Sequence, residues 1–286
     1  MKRVVRRLRS NLRVPRAWVQ HWWRKREKEL AWPDVEFIID HMPRRIWGGV
    51  GGDSQTGWAY QQGFFAALIQ SHVKGESLNF LDFGCGIGKL TPISLSFTHP
   101  AGRYVGVDIM EDCIAYCREH YADLPRVDFA LSREFNATYS ASGAQPSSAA
   151  YGQDWPVEDD SIDIVTAVSV FTHLQETDAH GYMAKLHAIL KPGGVAFLTF
   201  HIVEEPRLAP RFPDPAKLFD FHTRLPASKH WFTSRPARPE DAIAVNMQGL
   251  ESLIADRFDL RALIRGSTTG GHDPFFQDLA VLRRRP

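Results

Sequence analysis

The sequence predicts an α/β fold, a doubly wound and mostly parallel sheet of seven strands that closes with an antiparallel hairpin. Three observations predict it. Short apolar runs alternate with helix-period segments from about residue 57 to residue 200, the pattern of a sheet covered on both faces. A glycine-rich loop follows the first run directly, as where a strand hands over to a helix around a ligand. The last two runs, 258–264 and 277–283, are joined by the turn-rich stretch Gly266–Pro274, too short for a helical crossover and long enough for a hairpin.

Taken in order, Trp58 to Val73 reads as an amphipathic helix stopped by Gly75, and Leu78–Phe83 as a short buried strand. Lys89–Phe97 fits a helix because Pro92 falls in its first turn, where the missing N–H is not needed. Arg103–Asp108 is the second strand, Asp112–Tyr121 a helix and Val127–Ala130 the third strand. Residues 132–161 are polar and rich in Ser, Ala, Gly and Pro, a long loop. Ile162–Val168 is the fourth strand. Thr177–Leu190 is helical up to the stop Lys191-Pro192-Gly193-Gly194, and Val195–Phe200 is the fifth strand. Residues 205–246 break the alternation with seven prolines and several aromatics, among them Phe212, Phe219, Phe221, Trp231 and Phe232. That composition suits an inserted cap better than core. Met247–Asp256 reads as the last helix.

Ahead of this body, residues 1–30 form a basic amphipathic arm and 31–56 a loop-rich lead-in punctuated by Pro33, Pro43 and Gly48–Gly52. The body is expected to occupy 57–286, with the insertion at 205–246. The chain of 286 residues carries a net charge of +1, but residues 1–28 hold +10 of it and the remainder is −9. Val4, Val5, Leu8 and Leu12 make an apolar stripe, and Trp18, Trp22 and Trp23 a second, both flanked by arginines. Such an arm suits an anionic membrane surface as well as plain solvation. Contact with lipid predicts co-sedimentation with anionic but not neutral vesicles, release at high salt, and loss of binding when residues 1–28 are deleted. Loss of folding on that deletion would instead make the arm structural. The three cysteines, Cys85, Cys113 and Cys117, imply no disulfide framework and point to a reducing cytosol. No apolar run approaches a membrane span. The expected location is cytoplasmic, with the arm offering peripheral attachment to the inner face of the membrane.

The chemistry concentrates in Leu81-Asp82-Phe83-Gly84-Cys85-Gly86-Ile87-Gly88-Lys89. Glycines at i, i+2 and i+4 after a strand let the backbone turn sharply and approach a ligand, and the next helix offers free N–H groups. Twenty residues beyond Gly88 the second strand ends in Asp108, placed to accept from both hydroxyls of a ribose. The dinucleotide fingerprint is G-x-G-x-x-G. The spacing here is G-x-G-x-G, with an acid, Asp82, just before it. A carboxylate there repels a pyrophosphate and suits an ammonium, so the cofactor expected has an amino-acid end and a nucleoside end.

These residues resemble the class I S-adenosylmethionine-dependent methyltransferases, whose fold is Rossmann-like. Leu81–Lys89 looks like their first motif and Asp108 like their ribose acid. Asp160–Val165 followed by Ser169–Leu174 resembles their strand-four block, and Leu190–Gly194 their strand-five lead. The resemblance covers 57–200 and extends over 247–283. It implies S-adenosylmethionine as cofactor, with Gly84, Gly86 and Gly88 lining the methionine end and Asp82 near its ammonium. Asp108 would hold the ribose and Ile109 pack on the adenine, while Phe135 and Asn136 are the candidates for its edge. Cys85, a small packing residue inside the loop, and Val170, after strand four, complete that set. Asn136–Tyr139, Ser169–Leu174 and Gln277–Leu279 are further similar to members found with bacterial glycan-modifying enzymes.

For chemistry, methyl transfer to oxygen needs a base. His173 just past strand four and His201 just past strand five are the candidates, with His222, His230 and His272 able to approach from the insertion and the hairpin. His201 with Glu204 and Glu205 lacks a ligand-spacing pattern, so no metal is assigned. The reading is methyl transfer to a hydroxyl of a small molecule or glycan. Three others stay open: an RNA methyltransferase, which the arm favours and the acidic body disfavours; a nicotinamide oxidoreductase, which the loop spacing disfavours; and a non-catalytic cofactor-binding scaffold.

Overall fold

A computed structural model describes residues 55–133, 151–152, 154–203, 219–226, 228–266 and 276–286. The basic arm, the lead-in up to residue 54, Phe135, Asn136, Glu204, Glu205 and His272 lie outside the described residues.

Five strands run parallel: β1 (Phe80–Phe83), β2 (Tyr104–Asp108), β3 (Val127–Leu131), β4 (Ile162–Ala167) and β5 (Leu190–Phe200). Between them lie α1 (Gln55–His72), ahead of β1, α2 (Thr91–Thr98), α3 (Glu111–His120) and α4 (Glu176–Ile189). Four short strands follow, β6 (Ile202–Val203), β7 (Thr223–Arg224), β8 (Trp231–Thr233) and β9 (Ile243–Asn246), and after them α5 (Met247–Ile254) and the last two strands, β10 (Phe258–Ile264) and β11 (Asp278–Arg284). The sheet order is β10-β11-β5-β4-β1-β2-β3, with β11 antiparallel to both neighbours. The predicted doubly wound sheet with a reversed last hairpin is therefore the observed one.

The winding follows from side-chain alternation along the strands. Leu81, Phe83, Val105, Val107, Val165, Ala167, Ala196 and Leu198 enter one core with Tyr182, Met183 and Leu186 of α4 and Leu250 and Leu253 of α5. Their neighbours Phe80, Tyr104, Ile164, Val195 and Phe197 enter a second core with Phe65 and Ile69 of α1, Ile93 and Phe97 of α2, and Ile114 and Cys117 of α3. Each such side chain removed from water stabilises the fold by about 1.5–3 kcal/mol before the entropy of ordering it. All four β1 residues and all five of β2 are buried, which accounts for their reading as unbroken apolar runs.

Two local expectations change. The stop at Lys191–Gly194 is not a loop: β5 begins at Leu190, and the register irregularity between Ile162 and Ile164 is accommodated there, with Gly193 at φ +80°. The insertion is not merely a cap. Its described part supplies three strands of a four-stranded sheet, β9 (Ile243–Asn246), β8 (Trp231–Thr233) and β7 (Thr223–Arg224), which pairs through β9 with β6 (Ile202–Val203) just ahead of the insertion. Leu225, Trp231, Ile243 and Val245 join the first core. The described prolines of the insertion, Pro226, Pro236 and Pro239, fall outside these strands. A second 3-10 turn, Pro239–Asp241, leads into β9.

Candidate active site

Strand order reverses at β1, so the crevice beyond the carboxyl ends of β1 and β4 is where a ligand of this fold binds. Read across the sheet, that edge presents Gln277 before β11, His201 after β5, Ser169 and Val170 after β4, the glycine loop after β1, and Asp108 at the end of β2.

The loop turns through Gly84, Gly86 and Gly88, all left-handed at φ +74°, +52° and +74°. At Gly84 the demand is absolute on two counts. The backbone is left-handed, and a Cβ would lie 2.3 Å from Cγ2 of Val170. Val170, which the sequence placed in the site only through the resemblance, thus lies directly against the loop. The 3-10 turn Phe171–His173 follows it at once.

Asp108 is buried. Its Oδ2 accepts from the Gly86 N–H at 2.7 Å and its Oδ1 from the Met110 N–H at 2.9 Å. Burial raises its carboxyl, and the N–H donors of Met110, Gly86 and Ile109 oppose the rise. The carboxylate therefore joins the glycine loop to the end of β2, and a ribose diol would meet it there.

Asp82 lies on the sheet beneath the loop. Its two oxygens accept from Thr166 Oγ1 at 2.6 Å and Tyr104 Oη at 2.9 Å. Burial pushes its carboxyl up to about 6, the two hydroxyls pull it down, and the Asp108 charge adds to the rise. Both oxygens are thus engaged by neighbouring strands, β4 and β2. Cys85 points into the second core, and the Cys85 and Cys117 thiols donate to the Gly86 carbonyl at 3.7 and 3.3 Å. Ile109 is half-buried just past Asp108.

One residue here escaped the motif reading. Gln62 of α1 is buried, and its Nε2 donates to the Lys89 carbonyl at 2.6 Å, at the far end of the glycine loop. A carbonyl only accepts, so the amide nitrogen must face Lys89. Among the described residues Gln62 Oε1 then has no hydrogen-bond partner, and an orphaned buried acceptor calls for a donor from a ligand or water. The signal was present in the sequence: Gln62, Phe65 and Ile69 at i, i+3 and i+7 put one polar residue on an apolar helix face.

Of the two histidines, His173 has Nδ1 at 2.8 Å from the Glu240 backbone carbonyl. That oxygen can only accept, so Nδ1 carries the hydrogen and Nε2 is the basic nitrogen of the neutral ring. Burial lowers its pKa from 6.5, opposed by the Glu240 carbonyl and the charges of Asp241 and Glu240. His201 is buried, and its pKa falls to about 3 through burial and repulsion from His173. Burial thus favours the neutral ring. Its ring lies against Phe221, Phe219 and Phe276 at 4.9, 5.5 and 5.9 Å between centroids. The other described candidates, His222 and His230, are engaged elsewhere. His222 is exposed beside Asp220 at 3.4 Å. The His230 Nδ1–H donates to Asn246 Oδ1 at 3.1 Å, the same oxygen that caps α5 through the Gly249 N–H.

Residues 81–198 match a family model described as "Methyltransferase domain". Among solved structures, the chain is similar to the PH0226 protein from Pyrococcus horikoshii OT3, at 19% identity over 82% of this chain and 93% of that one, with a TM-score of 0.52. It is also similar to a 1,6-didemethyltoxoflavin-N1-methyltransferase of Burkholderia thailandensis, at 16% identity over 79% of this chain and 78% of that one, with a TM-score of 0.50. At these identities the likeness is one of fold. The site residues fit S-adenosylmethionine on their own chemistry: a left-handed glycine loop after β1, a buried acid at the end of β2, and the buried acceptor of Gln62 suited to an ammonium.

Proposed function

We propose that this chain, whose residues 81–198 match a methyltransferase-domain model, is an S-adenosylmethionine-dependent enzyme that methylates a hydroxyl of a small molecule or glycan. The observation that carries this reading is the fixed tautomer of His173 at the end of β4. When bound, S-adenosylmethionine supplies an electrophilic methyl group on a sulfonium. An alcohol or phenol oxygen is a poor nucleophile while protonated, and a neutral imidazole with its basic nitrogen defined is a suitable base for that proton. The remaining residues hold and orient. The glycine loop and Gln62 receive the amino-acid end, Asp108 the ribose and Ile109 the adenine face. Positioning then lowers the barrier, because an in-line displacement needs the acceptor oxygen behind the methyl carbon.

His201 is not the base in this reading, because a group with a pKa of about 3 has little proton affinity near neutrality. The acidic charge of residues 29–286, net −9, disfavours RNA, whose phosphates need a basic surface around the site. The test is label transfer from methyl-labelled S-adenosylmethionine to separate pools of hydroxylated small molecules, oligosaccharides and RNA. Label is expected as an ether in the first or second pool. Label confined to RNA, or found only on nitrogen, overturns the reading.

A further inference from the structure

We propose that the acceptor is a flat, uncharged aromatic compound whose ring lies against Phe276 and Phe219, beside His201. The proposal rests on the hydroxyl-transfer reading and narrows it to one acceptor chemistry.

The wall is assembled from separate parts of the chain. Phe219 and Phe221 come from the insertion, Phe276 from the approach to β11, and His201 from the end of β5. Phe219 stacks on Phe221 at 5.7 Å and 28°, and meets Phe276 edge-on at 6.0 Å and 63°. Rings at these separations form one continuous aromatic surface. Phe221 is fully inside it, Phe219 is half-buried, and Phe276 keeps 39% of its surface exposed. Among the described residues only Leu260 is another large apolar side chain as exposed, and it lies on β10 at the outer edge of the sheet. Phe276 is thus an exposed apolar ring beside the end of β5, at the sheet edge where a ligand of this fold binds.

The wall is also held in place. Asp278, fully buried at the start of β11, accepts from the Ile202 N–H at 2.6 Å, the Gly266 N–H at 2.9 Å and Arg265 Nε at 2.9 Å. Arg265 Nη2 donates in turn to the Ile202 carbonyl at 2.9 Å. This network ties the residue after His201 to the strand that follows Phe276. The two sides of the wall therefore keep their spacing without a ligand, which is what a site on rigid elements requires.

The composition selects the ligand. A sugar presents a ring of hydroxyls that must find directional partners when buried. Among the described residues of this wall, the single polar side chain is a neutral imidazole. A phosphate or carboxylate would need a cation, and the nearby Arg265 is engaged with Asp278. A flat aromatic ring needs no more than the stacking surface offered. Its hydroxyl, at the rim, would lie toward β4 and His173, whose charge is already felt at His201.

The test is calorimetry on the intact protein loaded with S-adenosylhomocysteine, using 2-naphthol, methyl α-glucoside and tetramethylammonium as probes. Only 2-naphthol should bind. Phe276→Ala should weaken it at least tenfold and Phe276→Trp should retain it, with S-adenosylhomocysteine affinity unchanged in both variants. Preference for the glucoside or the ammonium, no binding of 2-naphthol, or equal 2-naphthol affinity in Phe276→Ala overturns the proposal. Naphthol that binds through Phe276 but is not methylated on oxygen would leave the aromatic wall standing and count against hydroxyl transfer.

Discussion

His173→Ala should lower kcat by roughly 10²–10⁴-fold, the usual contribution of a positioned general base, while S-adenosylhomocysteine affinity stays near wild type. The separation is expected because His173 contacts the insertion through the Glu240 carbonyl, away from the glycine loop and Asp108 to which the proposed function assigns the cofactor. The pH profile adds a sign. The base works as neutral imidazole, and burial lowers its pKa from 6.5. Activity should therefore hold through neutrality and fall as the pH drops through that lowered value. Asp82, with a carboxyl near 6, can impose an acid limb of its own through the loop, so the informative comparison is with His173→Gln. The limb that disappears in that variant belongs to the base. A His173→Ala enzyme with an unchanged rate would remove His173 from the chemistry.

Gly84→Val should abolish measurable cofactor binding in an otherwise folded protein. The left-handed backbone at φ +74° costs a residue with a Cβ about 1–2 kcal/mol. Forcing extra methyl groups into a packed site adds about 1–3 kcal/mol, and here the new Cβ would meet Val170 Cγ2 at 2.3 Å. The loop must either open or push the turn carrying His173 outward. Adding Val170→Ala to Gly84→Ala should recover part of the loss, because it removes the contact but not the backbone strain. Asp108→Ala gives a useful contrast. It strands the Gly86 and Met110 N–H groups and the ribose hydroxyls, weakening cofactor binding by about 1–3 kcal/mol instead of abolishing it. Calorimetric titration of S-adenosylhomocysteine measures all four variants. Normal binding by Gly84→Val would show the loop to be an ordinary turn.

The two expectations draw on different kinds of information. Everything that depends on spacing along the chain was legible in the sequence. The short apolar runs became the central strands, the interleaved helices covered both faces, and Gly84, Gly86, Gly88 and Asp108 came together because a strand, a turn and a second strand place them so. Pro92 and the stretch before β11 located a helix start and the hairpin for the same local reason. These features depend on backbone sterics and burial pattern, which neighbouring residues carry with them.

What only the tertiary structure decided concerns side chains from distant segments that share one low-dielectric space. Asp82 meets Tyr104 and Thr166, His173 meets Glu240, and Asp278 meets Ile202 and Arg265; none of these pairs is signalled by its separation along the chain. His173 and His201 look alike in the sequence, each a short way past a strand, and both begin from an imidazole with a pKa of 6.5. Three phenylalanines and deep burial make one of them a neutral wall. A backbone carbonyl from the insertion gives the other a defined tautomer. Proton affinity is set by solvation and by neighbouring charge and dipoles, so the same residue type acquires its role only when the fold chooses its surroundings.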